Sequence, residues 1–106
     1  MRVLKTYKGH TSFHGHEVRA SVNQLVEVCG EPRWTGSVND KVQYEWLMQT
    51  EDSTPFTIYD YKEYRDYSND ELIDWHIGGI SRLDTLKGSD ELYSSLNTLG
   101  ANLVGN

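Results

Sequence analysis

From Lys41 to Thr50 apolar and polar side chains alternate. Val42, Tyr44, Trp46 and Met48 fall on one face of an extended chain, and Lys41, Gln43, Glu45 and Gln49 mostly on the other. A period of two predicts a half-buried strand. Glu51-Asp52-Ser53 reads as a turn, and Phe56 to Tyr61 returns as the hairpin partner. Pro55 lacks an amide donor, so it belongs at the start of that strand or on an unpaired edge. Leu72 to Ile77 alternates again, with Ile73, Trp75 and Ile77 inward and Asp74 and His76 outward, until Gly78-Gly79 ends the run. Nearer the N-terminus, Arg2 to Tyr7 predicts a first strand, and polar Phe13 to Ala20 a short edge strand around Glu17-Val18-Arg19.

The helical signal is clearest after Ser21. Ser21 and Gln24 form a capping box, in which each side chain satisfies an orphan amide of the first turn. Val22, Leu25, Val26 and Cys29 follow at i, i+3, i+4 and i+7, one apolar stripe. Gly30 supplies a left-handed stop and Pro32 prevents continuation. Arg33 to Asp40 then reads as a loop carrying Trp34. Ser81 and Asp84 resemble a second helix start with Leu83 and Leu86 on one face; Gly88 interrupts it, and Ser89 or Asp90 begins again. Leu92, Leu96, Leu99 and Leu103 recur at nearly helical spacing to the end of the chain. The predicted class is α+β: a four- or five-stranded, mainly antiparallel sheet with helices packed on one face.

A length of 106 residues suits one domain, residues 1–106, with a single core. Cys29 is the only cysteine, which rules out an intramolecular disulfide and favours a reducing compartment. The first residues carry no apolar run of signal-peptide length, and no stretch reaches the roughly 20 apolar residues of a membrane helix. A cytoplasmic protein that does not engage membranes is expected. Sixteen acids against ten bases give a formal charge of −6. That charge disfavours direct binding to nucleic acid phosphates, although it also serves plain solubility.

Five islands stand out: Gly9-His10-Thr11-Ser12; Leu25-Val26 through Gly30-Glu31-Pro32; Lys41-Val42 with Glu45-Trp46; Thr57-Ile58-Tyr59-Asp60-Tyr61-Lys62; and Trp75-His76-Ile77-Gly78-Gly79. Together they resemble a group of small bacteriophage-encoded proteins. The resemblance spans residues 9 to 79 and departs at Ser53, where glycine would be the turn residue; a different turn type is expected there. It implies a viral origin, a place in the host cytoplasm and an accessory role against host defence. It implies no activity, cofactor or site.

Three constellations bear on function. Tyr59 to Glu71 is acidic and tyrosine-rich, and residues 51–74 hold eight acids and two bases, equal to the whole net charge. Tyrosines give rigid contact area with a polar tip, and carboxylates on one face imitate phosphates in a basic groove. The plainer alternative is a solvated hairpin tip. Next, Gly78-Gly79 leading to Ser81 and Arg82 would expose backbone amides to an anion, with Lys62 and His76 adding charge. No complete phosphate-loop pattern is present, and a tight strand-to-helix turn explains the glycines equally well. Last, His10, His14 and His16 lie close in sequence; a metal would want a third or fourth ligand, conceivably Glu17 or His76, and loop histidines without a metal are expected. Catalytic patterns are absent: Cys29 sits on the apolar stripe, no serine lies in a nucleophile elbow, and Glu63 with Asp66 has no pocket around it.

The leading expectation is a non-enzymatic, cofactor-free inhibitor that acts as a DNA mimic on a host nuclease or other nucleic-acid-binding defence factor. Tyr59, Tyr61, Tyr64 and Tyr67 would be anchors, and Asp60, Glu63, Asp66, Asp70 and Glu71 phosphate imitators. The alternative is a module that sequesters a nucleotide signal with Lys62, His76, Gly78, Gly79, Ser81 and Arg82. A structural or assembly protein is the third reading. The capping box carries the first test: Ser21→Ala should lower unfolding free energy by about 1 kcal/mol in a denaturant titration.

Overall fold

A computed structural model describes residues 1–103, with side chains to residue 99. The elements follow as β1 (Arg2–Val3), β2 (Ser12–Ala20), α1 (Val22–Cys29), β3 (Trp34–Thr35), β4 (Tyr44–Gln49), β5 (Pro55–Tyr59), β6 (Ile73–Gly79) and α2 (Arg82–Leu103). The class is the predicted α+β. The sheet is fully antiparallel in the order β1-β4-β5-β6-β2, and β3 shares with β1 the outer edge of β4. Six strands rather than four or five result, because Trp34–Thr35, inside the stretch expected to be a loop, adds a two-residue pairing to β4 as β3. The strand expected over Arg2 to Tyr7 stops at Val3, where the chain leaves the sheet edge. β2 is longer than expected, at nine residues. It carries a bulge between Phe13 and Glu17, at which Gly15 takes a left-handed φ of 89°.

The inner face follows the alternation. Trp46, Met48, Phe56, Ile58, Ile73, Trp75 and Ile77 join Val22, Leu25 and Cys29 of α1 and Leu92 of α2 in one buried cluster. Ser21 caps α1 as the sequence predicts: its hydroxyl accepts from the Gln24 amide at 3.1 Å, and the Gln24 side chain accepts from the Ser21 amide at 2.9 Å. Burial pushes the Cys29 thiol up to about 12, so it stays protonated and packs as a small apolar group.

Three expectations change. α2 runs unbroken through Gly88, where a Cβ would sit 2.5 Å from the ring of Phe56. The glycine is clearance for a helix pressed onto β5. Leu83 and Leu86 consequently face solvent, and Thr85, Gly88, Ser89 and Leu92 face the sheet at i, i+3, i+4 and i+7. Leu96 and Leu99 are half-buried, and the side chain of Leu103 lies outside the described residues. At the hairpin tip, Ser53 takes φ 68°, the left-handed conformation that glycine would supply, so the turn is not of a different kind. The Asp52 carboxylate braces this tip by accepting from the hydroxyls of Thr50 and Thr54 and from Lys87. Those bonds hold it far below the usual carboxylate range.

The strand order dictates one long crossing. β1 lies at the β4 edge and β2 at the opposite edge, so residues 4–11 pass over the far face of the sheet. The Thr11 and Thr57 hydroxyls, 2.8 Å apart, fasten this strap to β5. Gly88 supplies the fold's sharpest test. In an ordinary helix Gly→Ala gains roughly 1 kcal/mol; here overpacking against Phe56 should reverse the sign, and Gly88→Ala should lose about 1–3 kcal/mol. Thermal and denaturant midpoints should both fall.

Candidate functional site

The face opposite the helices is built from the outward positions of the same alternating strands. Register places Glu45 beside Tyr59, Tyr59 beside His76, and His76 beside Glu17, a row across β4, β5, β6 and β2. The next row is Leu47, Thr57, Gly78 and Phe13. The strap covers the β4–β5 side of this second row, and Leu47 and Thr57 are buried there. Around His76 no helix covers the sheet, and aromatic side chains gather. Phe13 stacks on His76 with ring centroids 4.0 Å apart, Tyr61 stacks on it at 5.3 Å, and Tyr59 meets it edge-on at 5.5 Å. Phe13 and Tyr61 are 42% and 41% exposed, so the two outer rings of the stack are open to a partner.

Polar groups frame this platform. His76 Nε2 lies 3.1 Å from the Glu17 carboxylate, while its Nδ1 is buried without a hydrogen-bond partner among the described residues. Lys62 Nζ sits 5.2 Å from the Tyr61 ring centroid. Tyr59 is pushed above its ordinary pKa, first by burial and then by Tyr61 and Glu45, so it remains a neutral donor.

The acidic segment is placed less uniformly than its composition suggests. Asp60 is fully buried. Its carboxylate accepts from the amides of Gln43 at 2.7 Å and Tyr44 at 3.0 Å, and from the Tyr67 hydroxyl at 3.0 Å. No partner reaches it, and Asp60 is corrected from phosphate imitator to structural anchor of the loop. Tyr67 is half-buried against Tyr44 and the core, so it is a packing residue more than a contact anchor. Glu63 and Glu71 both hold Arg65, and Asp70 accepts from Asn23. Asp66 and Tyr64 are exposed. Lys62 and Tyr64 take left-handed φ values of 55° and 49°, which bend the loop so that Asp60 turns inward beside an outward Tyr61.

The glycine pair does not form a turn. Gly78 and Gly79 are buried inside β6, paired to Thr57 and Phe56 on one side and to Phe13 and Ser12 on the other. A Cβ on Gly78 would lie 2.4 Å from Thr57 Oγ1 and 3.0 Å from Thr11 Oγ1; on Gly79 it would lie 2.7 Å from the Thr85 amide nitrogen. These glycines admit the strap on one face and the start of α2 on the other, so their amides present no anion cradle. Ser81 caps α2 through its bond from the Asp84 amide, and Arg82 is exposed on the first turn. Among the described residues no three His, Cys, Asp or Glu side chains form a group able to hold a metal. His14 instead contacts the Gly79 carbonyl at 3.2 Å, and His10 lies on the strap.

Sequence reasoning gave Phe13 and Arg33 no functional role, raised Glu17 only as a conceivable metal ligand and quoted Glu45 only within a resemblance island. The outward half of each alternating strand was the available signal, but alternation marks a face without saying whether anything covers it. No family model matches the chain, and no curated protein or solved structure matches it either.

The Tyr67–Asp60 bond sets a pH dependence. Burial, then the Asp60 carboxylate, raise the Tyr67 pKa above its unfolded value. The folded state therefore keeps the phenolic proton more tightly, so this stabilisation is complete below about pH 10 and lost as pH rises beyond it. Tyr67→Phe should lower stability at neutral pH by about 1–3 kcal/mol, since it leaves a buried carboxylate one donor short. It should also flatten the alkaline limb of a stability-versus-pH curve.

Proposed function

We propose that the chain is a non-enzymatic binding protein of phage type that inhibits a host protein by docking on the uncovered sheet face. The observation that carries this reading is the Phe13–His76–Tyr61 stack, whose outer rings are exposed beside a charged loop. Exposed aromatics on a rigid platform cost little ordering entropy on binding, and such residues dominate the energetics of protein interfaces. His76 at the middle of the stack stands on the interior strand β6, with Phe13 brought to it by the edge strand β2 and Tyr61 by the loop after β5.

The partner class follows from charge. The chain carries −6; Glu17 meets His76 at the platform, and Glu63 and Asp66 lie on the loop that follows Tyr61. A partner with a basic surface, such as a nucleic-acid-handling defence factor in the host cytoplasm, suits that sign. Weight moves from acids to aromatics, because Asp60 is buried and Glu63, Asp70 and Glu71 already have partners within the chain. Steering by net charge and anchoring by Phe13, Tyr61 and Tyr64 replace a literal copy of the phosphate backbone.

A partner captured from host lysate provides the assay. Phe13→Ala with Tyr61→Ala should speed dissociation at least tenfold, about 1.4 kcal/mol, with little change in melting temperature. Asp66→Lys should mainly slow association, and high salt should reduce that difference. The captured partner's activity should fall on adding wild type and recover with the double alanine variant. Unaltered kinetics in all these variants would place the interface elsewhere.

A further inference from the structure

The two edges of the sheet differ. At one, β1 and β3 share the outer side of β4; at the other, β2 stands alone beside β6. Among the described residues the backbone of β2 pairs with β6 and with nothing else, apart from the Ala20 carbonyl, which accepts from the Trp75 indole. The outward amides and carbonyls of this strand are what a further strand needs as a template. We infer that the β2 edge is a self-association surface, on which a second copy of this chain adds its own β2 antiparallel about Val18 and joins the two sheets into one. The edge is distinct from the open face of the aromatic platform, so this pairing does not depend on the host partner proposed above.

The order of charges selects both the occupant and the register. A two-fold axis that keeps all helices on one side of the joined sheet sets each residue opposite one of the same face, so the axis passes through a residue. Glu17 and Arg19 stand two apart on β2 and share the far face with their cross-strand neighbours His76 and Asp74. An axis at Glu17 would set that carboxylate against its own copy, and an axis at Arg19 would do the same to the guanidinium. Like charges directly opposite destabilise a strand pair. An axis at Val18 instead sets Glu17 against Arg19 of the other copy, twice by symmetry. A foreign strand would have to reproduce this alternation, whereas the chain's own β2 carries it.

A second observation is the continuity of the row. Within one chain Glu17 Oε2 lies 3.1 Å from His76 Nε2, and Arg19 Nη1 donates to Asp74 Oδ1 at 3.0 Å. Glu17, Arg19 and Asp74 are all exposed, which leaves room for a further contact at each. Pairing about Val18 runs His76 and Glu17 of one copy into Arg19 and Asp74 of the other, alternating donor and acceptor over four strands. Exposed pairs of this kind contribute little affinity but fix register, and the main-chain bonds supply the attraction.

The ends of the open edge are also defined. Gly15, with its left-handed φ of 89°, lies in the register shift between Phe13 and Glu17, and Ser21 caps α1 at the other end. Residues 16–20 remain for pairing, a short addition that suits a reversible dimer. With β1 and β3 already on the opposite edge, the joined sheet closes as a pair and does not grow into a filament.

Sedimentation velocity and amide hydrogen exchange on the full chain, up to millimolar concentration, provide the test. Wild type should pass reversibly from monomer to dimer, and outward amides among residues 16–20 should exchange more slowly as the dimer forms. Glu17→Arg and Arg19→Glu should each weaken self-association about tenfold or more, because each turns both cross-strand pairs into like charges. Mixed in equal amounts, the two variants should recover at least wild-type affinity as a heterodimer, in which every pair is again of opposite sign. That recovery requires both variants to be folded. A wild type that stays monomeric at millimolar concentration would overturn the self-pairing and leave the edge to a foreign strand. So would a dimer that neither variant weakens, or a mixture no tighter than the variants alone. Dimer formation that protects amides elsewhere but not among residues 16–20 would overturn it too, whatever the variants do.

Discussion

Trp46 and Trp75 meet edge to face at the centre of the inner sheet face, 5.5 Å apart at 83°, and each turns its one polar atom toward an end of α1. Trp75 Nε1 donates to the Ala20 carbonyl at 2.8 Å, just before the cap, and Trp46 Nε1 donates to Gly30 at 2.8 Å, just after the last turn. A buried indole N–H without an acceptor carries a penalty of about 1–3 kcal/mol, so these bonds allow two large rings to be fully apolar in packing and still satisfied. They also fix where the helix starts and stops relative to β4 and β6. The Ser21 capping box and the Gly30 stop therefore act in register with the sheet, and local and tertiary preferences agree.

With that layer fixed, the helices occupy one face and, among the described residues, only the strap crosses the other. The divided far face has two regions of different character. Where the strap lies, backbone comes close and polar side chains enclose a small space. Where it does not, rings stack on a central histidine and remain open. Asp60 separates the two roles of the tyrosine-rich segment: by turning inward it ties the loop to β4, and its neighbour Tyr61 stays outward. A formal count of charges treats Asp60 and Asp66 alike, but only Asp66 is exposed at the surface.

The elements whose pattern is carried by their own residues were readable from sequence. The α1 cap, its apolar stripe and the alternation of β4 and β6 belong to this class, because period and capping chemistry are local. Features that depend on distant residues were not readable in the same way. Gly88 looks like a helix breaker until Phe56 is placed beneath it. Gly78 and Gly79 look like a turn until Thr11, Thr57 and Thr85 fill both sides. Leu83 and Leu86 look buried because they are apolar, yet the small residues Thr85, Gly88 and Ser89 let the helix come closer and so own the contact. Asp60 is a charged residue whose burial depends on two amides at the entry to β4 and a hydroxyl seven residues later. Half of the candidate platform, Phe13 and Glu17, sits on the edge strand whose bulge no periodicity could announce.

The strand order also sets a timetable for folding. β4, β5 and β6 are consecutive neighbours, and the β4–β5 hairpin closes through a short turn. The N-terminal strands must wait: Arg2 pairs with Gln49, and Ser12 pairs with Gly79, across most of the chain. The entropy of closing such loops is lost before their contacts are gained, which makes these the slow steps. On an emerging chain the first twenty residues are made long before their partners exist. The strap, the β2 edge and the Phe13 ring of the platform all belong to that late-docking piece, whereas Tyr59, Tyr61 and His76 belong to the part that can assemble first. Both candidate surfaces are thus completed only when the chain's beginning closes over its middle.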